Sequence, residues 1–296
     1  MQDSSYYLLD VFSDKMFGGN QLAIFPDASE IDPSLFQKIA KEFNIAETVF
    51  LFPPQSNEEV PSMRIFTPDA ELPTAGHPTI GTAYFLAAQQ NSKSIIELEQ
   101  KVGRIKVEIS YLQNGEPDLL TMYQPLPVFG NLISKKNQVA SMLSLRLEDL
   151  EDLPIQEISC GNNFLLVPVK SISILQKIKI NLAEWGKLDQ DLDSAGIYVF
   201  TLNGVENGDV QGRMFAPKLG INEDPATGSA NGPLACYLSE YNLANFPMTS
   251  LQGFEMGRPS YLYLDIEKDL EDKISSVKVS GRCKFVGQGE LFLNQE

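Results

Sequence analysis

The sequence predicts an α+β fold of two pseudo-symmetric halves, each a curved and mostly antiparallel sheet wrapped around a central helix. Two observations lead to this fold class. The second half of the 296-residue chain repeats motifs of the first half in the same order. Each half also contains one helical segment that is small and apolar on nearly every side, and a helix without a polar face has to be buried.

The duplication rests on four pairs of matching segments. These are residues 19–26 with 161–168, 64–68 with 213–217, 76–79 with 224–227, and 102–104 with 256–258. Because the members of each pair lie about 150 residues apart, near half the chain length, the repeat predicts two similar domains rather than a solenoid of short repeats. We place the first domain at 1–124, with a strand near 285–296 as a candidate addition, and the second at 125–296.

The elements of the first half follow from local patterns. Apolar runs rich in β-branched and aromatic residues predict strands after the Gly-Asn turn, at 48–52 and at the R-x-F-x-P motif. Asp32 and Pro33 supply the N-cap and the first-turn proline of an amphipathic helix. The central helix is predicted at 79–88 (TIGTAYFLAA).

The second half repeats this order. Its central helix is predicted at 227–238 (TGSANGPLACYL), where Pro233 indicates a kink. A connector at 124–127 joins the halves, and residues 134–147 predict a surface helix.

Composition excludes several classes of function. The formal net charge of −16 disfavours nucleic-acid binding, which depends on neutralising phosphates with lysine and arginine, and disfavours anionic membrane surfaces. No apolar run reaches the ~20 residues of a membrane span, and the N-terminus lacks the basic segment of a secretory signal. Cys160, Cys236 and Cys283 form no C-x-x-C pair, which is typical of the reducing cytoplasm and of buried structural thiols. We therefore expect a cytoplasmic protein.

His77 is the only histidine of the chain, so sites with two or three histidine ligands are excluded. No local cluster of acidic residues indicates a magnesium site. We expect no metal, with a carboxylate-bound magnesium ion as the open alternative.

Both central helices begin after loops of small residues, at 74–79 and 224–229. The exposed N–H groups of a helix start attract anions, and the internal symmetry predicts that the two starts face each other across a cleft. The alternative is that these residues only cap the helices, since Asp, Ser and Thr favour such positions.

The two halves carry different residues at some matched positions, and this asymmetry marks candidates for the residues that carry out the chemistry. Glu47 begins an apolar strand, while its counterpart in the repeat is Gly196. A carboxylate in that position is a candidate general acid or base if it is withdrawn from water. A solvated strand-end carboxylate remains the alternative for Glu47, and a hydrogen-bonded structural role is the alternative for His77.

Five runs of the sequence resemble the phenazine-biosynthesis PhzF-like isomerase family. They are 18–20 (GGN), 46–50 (AETVF), 76–81 (GHPTIG), 223–230 (EDPATGSA) and 252–260 (QGFEMGRPS). The resemblance implies a diaminopimelate-epimerase-like fold with the active site between its halves. It also implies cofactor-independent proton transfer at carbon, with Glu47 as the acid/base.

The resemblance carries further roles over to individual residues. It implies that His77, Asp224 and Ser229 help to bind and polarise the substrate. We predict that the catalytic residues are Glu47, His77 and Asp224, and that the substrate-binding residues are Asn20, Gly76, Thr79, Gly228 and Ser229. Gly76 and Asp224 stand where the cysteine-based racemases of this fold carry their two thiols, so racemisation by two thiols is not available to this chain.

We therefore predict an isomerase or epimerase that moves a proton between carbons of a small carboxylate-bearing metabolite. The expected partners are that metabolite and, as an open alternative to a monomer, a second copy of the chain in a homodimer. A non-catalytic small-molecule-binding or protein-interaction member of the same fold is the alternative function.

Overall fold

A computed structural model describes residues 2–54, 56, 60–90, 93–188, 192–202, 204–206 and 208–293 of the chain. The chain forms two compact units. The first contains Met1–Met122 together with Ser280–Glu296, and the second contains Tyr123–Val279. The C-terminal segment thus lies with the first unit, an arrangement that the sequence left open.

The described residues of the first unit form one sheet and two α-helices. Its elements are β1 (Gln2–Val11), β2 (Asn20–Phe25), α1 (Phe36–Phe43), β3 (Glu47–Phe52), β4 (Ser62–Phe66), β5 (Glu71–Leu72), α2 (Gly76–Gln90), β6 (Ile95–Gln100), β7 (Gly103–Tyr111), β8 (Pro117–Gln124) and β18 (Cys283–Leu293). Only the β2–β3 and β4–β6 pairs are parallel among the described pairings of this unit, and the others are antiparallel.

The second unit repeats this plan with additional short helices. Its elements are β9 (Val128–Leu132), α3 (Lys136–Met142), β10 (Gln156–Ser159), β11 (Asn163–Pro168), α4 (Ile172–Leu175), α5 (Leu182–Leu188), β12 (Gly196–Thr201), β13 (Val210–Ala216), β14 (Ile221–Asp224), α6 (Gly228–Glu240), β15 (Met248–Gln252), β16 (Ser260–Lys268) and β17 (Ile274–Gly281). Among the described pairings of this unit, β11–β12 and β13–β15 are parallel.

The internal repeat extends to the register of the strands. Leu22 of β2 pairs with Glu47 of β3, and the residues matched to them in the repeat, Phe164 and Gly196, pair in the second unit. The predicted fold class is confirmed: both units are mixed α+β, with mostly antiparallel pairing and one central helix each.

Both central helices are buried, as their composition predicts. Residues on several sides of α2 are shielded from solvent, and in α6 the buried residues run almost without interruption from Gly228 to Ser239. Helix α2 contacts β1, β2, β3, β6 and β7, while α6 contacts β10, β11 and β16. The helix starts are therefore held by the surrounding strands. Helix α2 begins at Gly76, three residues before the predicted start, because a proline such as Pro78 is tolerated in a first turn.

Two other helices differ from the prediction. Pro33 lies in a 3₁₀ turn whose Ser34 N–H donates to the Asp32 carboxylate at 2.9 Å, and α1 follows that turn. The helix predicted over 134–147 covers only α3, because Ser144 takes a left-handed conformation with φ of 57° just beyond its end. One face of α3 is buried in the core of the second unit, and the other, with Asn137, Gln138 and Ser141, is exposed.

The R-x-F-x-P motif forms a clamp that recurs in both units. Arg64 of β4 donates two hydrogen bonds to Glu71 of β5, at 2.7 and 2.9 Å. Arg213 of β13 donates two to Glu223 of β14, at 2.8 and 2.7 Å. Each pair joins the two strands that precede a central helix, so the motif fixes the chain where it enters α2 or α6.

The clamp of the first unit predicts a dependence of stability on acid. Hydrogen bonds from Arg64, assisted by Lys101, lower the pKa of Glu71 to about 2. Because this lies below the value of ~4.3 expected in the unfolded chain, the ionised carboxylate stabilises the fold fully above about pH 5 and loses its effect as the pH falls towards 2. In urea titrations at several pH values, Glu71→Gln should lower the free energy of unfolding most above pH 5, with the difference from the wild type shrinking towards pH 2. A difference that stays constant with pH would contradict this prediction.

Candidate active site

Glu47 lies at the start of β3 and is 8% exposed. The strand residues that follow it are buried, because β3 contacts both α1 and α2. On the α1 side, Phe50 stacks on Phe36 with ring centroids 4.2 Å apart. The apolar pattern thus holds β3 inside the unit and draws the carboxylate at its head largely out of water.

Three polar residues of the first unit meet at this point. Asn20, the first residue of β2, is 1% exposed, and His77, the second residue of α2, is 5% exposed. The Asn20 Nδ2 atom lies 3.2 Å from His77 Nδ1, and His77 Nε2 lies 3.0 Å from Glu47 Oε2. The structure therefore brings Asn20, His77 and Glu47 together as a buried polar chain.

The contact with Asn20 defines the tautomer of His77. An amide nitrogen only donates, so Asn20 Nδ2 donates to Nδ1 of His77. The ring proton then lies on Nε2, which faces the Glu47 carboxylate. The Nε2–Oε2 pair is close but not in hydrogen-bonding alignment.

A side chain that sequence analysis missed is hydrogen-bonded to the first turn of α2. Gly76 and Thr79 are buried in its first turn. The Thr79 hydroxyl donates to the Ala75 carbonyl at 2.6 Å and accepts from Gln100 Nε2 at 2.7 Å. Gln100, at the end of β6, thus fixes Thr79 within the helix start.

The second unit has a related arrangement at the start of α6. Asp224 ends β14 and is largely buried, and its Oδ2 atom accepts a short hydrogen bond from the Thr227 hydroxyl. Gly228 and Ser229 are the first two residues of α6, the former buried and the latter half-buried. Gln252 bonds to this turn, and sequence analysis did not single it out as a site residue. The available signal was its position, since Gln100 and Gln252 both end the strand that follows a central helix.

The thiols are not equipped for nucleophilic chemistry. Cys160, Cys236 and Cys283 are buried and free, as the sequence predicted. Contact with Cys160, whose Sγ lies 3.6 Å away, and burial raise the pKa of Cys236, while burial raises that of Cys283. The buried, protonated thiols of Cys236 and Cys283 are therefore inert.

Two further features are absent from the described residues. These residues contain no group of three or more His, Cys, Asp or Glu side chains that could hold a metal ion. Among their helices, none combines the length and the apolar character needed to cross a membrane.

Comparison with known proteins places this chain among isomerases. Residues 9–289 match the family described as phenazine biosynthesis-like protein, PhzC-PhzF. A trans-2,3-dihydro-3-hydroxyanthranilate isomerase of Pseudomonas fluorescens is 35% identical, with 98% of this chain and 99% of that protein covered. An uncharacterized isomerase of Clostridium acetobutylicum is 33% identical, with 97% and 98% covered. The crystal structure of a PhzF-family protein of Bacillus anthracis superposes with a TM-score of 0.90 at 28% identity, with 99% and 100% covered.

The fold, the family and the named relatives define an enzyme of the isomerase and epimerase class. The chain belongs to the phenazine biosynthesis-like PhzC-PhzF family. The resemblance drawn from the five sequence runs is therefore confirmed.

Proposed function

We propose that this protein is an isomerase that moves a proton between two carbons of a small carboxylate-bearing metabolite, with Glu47 as the acid/base. The observation that supports this most directly is the buried contact of 3.0 Å between Glu47 Oε2 and His77 Nε2. A solvated strand-end carboxylate, the alternative for Glu47, does not fit a residue that is 8% exposed.

The proton balance of this reaction needs only one carboxylate. As a base, Glu47 takes a proton from a C–H bond, and the electron pair of that bond passes into an enolate-like anion of the substrate. As an acid, Glu47 then returns the proton to a different carbon. One C–H bond is broken and one is formed, no electrons are gained or lost, and Glu47 ends as the carboxylate it was at the start.

His77 supports both proton transfers of this cycle. With its proton on Nε2, the neutral ring can donate to the Glu47 carboxylate before and after the transfer. Asn20 keeps that tautomer by donating to Nδ1. A histidine that is held in one tautomer orients the carboxylate without competing for its proton.

The helix starts supply the binding of the substrate's anionic groups in this proposal. The first N–H groups of α2 and α6 lack partners within their helices, and the helix dipole adds positive potential there. Gly76 in one unit, and Gly228 and Ser229 in the other, are the residues through which we propose that negative charge is bound. Charge that develops on an enolate is stabilised best by such fixed donors. Asp224 is proposed to contact an amino or hydroxyl group, and Thr79 to act by fixing the first turn of α2.

Incubation of the wild-type protein with substrate in deuterated water tests the reaction class. The probe is trans-2,3-dihydro-3-hydroxyanthranilate, the substrate named for the Pseudomonas fluorescens relative. We expect NMR to show the loss of one C–H signal of the substrate. At another carbon of the product we expect either a new proton signal or a new deuterium signal. The non-catalytic alternative predicts that the compound binds, as seen by calorimetry, and keeps all its signals. Unchanged spectra for this compound and for a panel of small carboxylate-bearing metabolites would contradict the proposal.

A further inference from the structure

Gln252 is a fully buried amide with four polar contacts at the start of α6. Its Nε2 atom donates to the Asp224 carbonyl at 2.7 Å and to the Thr227 hydroxyl at 2.9 Å. Its Oε1 atom accepts from the Thr227 N–H at 3.0 Å and from Asn231 Nδ2 at 3.3 Å. Both ends of the amide are thus used, on residues that surround Asp224.

These contacts fix the orientation of the Gln252 amide. Oε1 faces two donors, the Thr227 N–H and the Asn231 amide nitrogen, so a flipped amide would place donor against donor on that side. On the other side Nε2 faces the Asp224 carbonyl, which only accepts. A single orientation satisfies every partner.

The fixed amide in turn fixes the direction of the Thr227 hydroxyl. Because Gln252 Nε2 can only donate, the hydroxyl oxygen accepts from it, and the hydroxyl's own proton is left to point elsewhere. It points to Asp224 Oδ2, with which it forms a short hydrogen bond. A hydrogen bond from a neutral hydroxyl to a carboxylate is a charge-assisted bond, about twice as strong as a neutral one.

The first unit contains the same pairing of a glutamine with a threonine, but without a carboxylate beside it. Gln100 donates to the hydroxyl of Thr79, the residue matched to Thr227, but that hydroxyl donates to the Ala75 carbonyl. The residue matched to Asp224 is Gly76, so no side chain is present for it to orient. Capping the helix start therefore needs no carboxylate, and the bond to Asp224 is an addition specific to the second unit.

We propose that Gln252 and Thr227 are positioning residues that hold the Asp224 carboxylate in one orientation for the substrate. Gln252 sets the direction of the Thr227 hydroxyl, and Thr227 delivers its proton to Oδ2. This inference rests on the proposed function, in which Asp224 contacts the substrate.

Two substitutions at Thr227 test this role. Thr227→Val keeps the size of the side chain and removes the proton donor, while Thr227→Ser keeps the hydroxyl. With trans-2,3-dihydro-3-hydroxyanthranilate as the probe, we expect kcat/KM to fall at least about tenfold in Thr227→Val, the loss expected for a hydrogen bond to a charged group, and to stay within about threefold of the wild type in Thr227→Ser. Tyr241→Phe is the matched control, since it removes a 2.7 Å hydrogen bond to Gln156 at the far end of α6 and should leave kcat/KM unchanged.

A crystal structure of Thr227→Val gives a readout that does not depend on turnover. We expect the Asp224 side chain to change rotamer or to occupy two positions, and to return to one position in Thr227→Ser. An Asp224 side chain that keeps its wild-type orientation in Thr227→Val would overturn the inference even if the wild type proves inactive on every compound tried. Equal kcat/KM in Thr227→Val and wild type would overturn it as well. Inactivity of the wild type alone would count only against the proposed function.

Discussion

Replacing Glu47 by glutamine is expected to lower the rate of proton transfer at least about 100-fold while leaving the fold intact. The amide has nearly the volume of the carboxyl group, so the packing at the head of β3 should survive. The glutamine amide cannot accept a proton from a substrate carbon and return it, so the chemical step is lost. Deuterium incorporation from solvent, followed by NMR for wild type and variant at equal protein concentration, measures the change.

The comparison needs a control for the neutralisation of a buried glutamate. Glu157 of β10 is 1% exposed and accepts a hydrogen bond from the Asp193 N–H at 2.9 Å. It lies in the second unit and has no part in the proposed chemistry. Glu157→Gln should therefore lower stability somewhat and leave the exchange rate unchanged. If Glu47→Gln exchanges as fast as the wild type, Glu47 is a structural carboxylate and the mechanism is wrong.

The sequence predicted most of the fold because short motifs recur in the same order about half a chain length apart. The residues matched between halves, Leu22 with Phe164 and Glu47 with Gly196, proved to be paired in the same register within their own units. Two segments with the same pattern of strands and turns are expected to fold in the same way. Recognising the repeat therefore predicted a common fold for both units.

The parts that sequence analysis missed depend on contacts between distant elements. Gln252 meets Thr227 only because the end of β15 and the start of α6 are adjacent in the fold. An isolated glutamine at a strand end is usually solvated, so nothing in its immediate neighbourhood marked it. The end of α3 was missed for a different, local reason: Ser144, just beyond the helix, takes a left-handed backbone conformation that its residue type does not favour.

The duplicated arginine clamp predicts unequal effects of the same substitution in the two units. Arg213→Ala should lower the free energy of unfolding by about 3–5 kcal/mol, the cost of breaking a buried ion pair by removing one partner. Arg213 is 8% exposed, and it also donates to the Leu175 and Ile178 carbonyls, at 2.9 and 3.2 Å. Its loss would leave Glu223 as a largely buried charge and remove one hydrogen bond from each carbonyl.

Arg64→Ala is the matched variant, because it removes the same motif residue from the first unit. The Arg64 side chain is 36% exposed, and its partner Glu71 keeps Lys101 at 2.8 Å. Water and Lys101 can therefore take over part of its role, and we expect a loss of about 1 kcal/mol, as for solvent-screened ion pairs. Urea unfolding of both variants, followed by circular dichroism, measures the difference. Equal losses would mean that burial does not set the cost and that both arginines act mainly through the aromatic rings beneath them, Phe36 and Phe66 under Arg64 and Phe215 under Arg213.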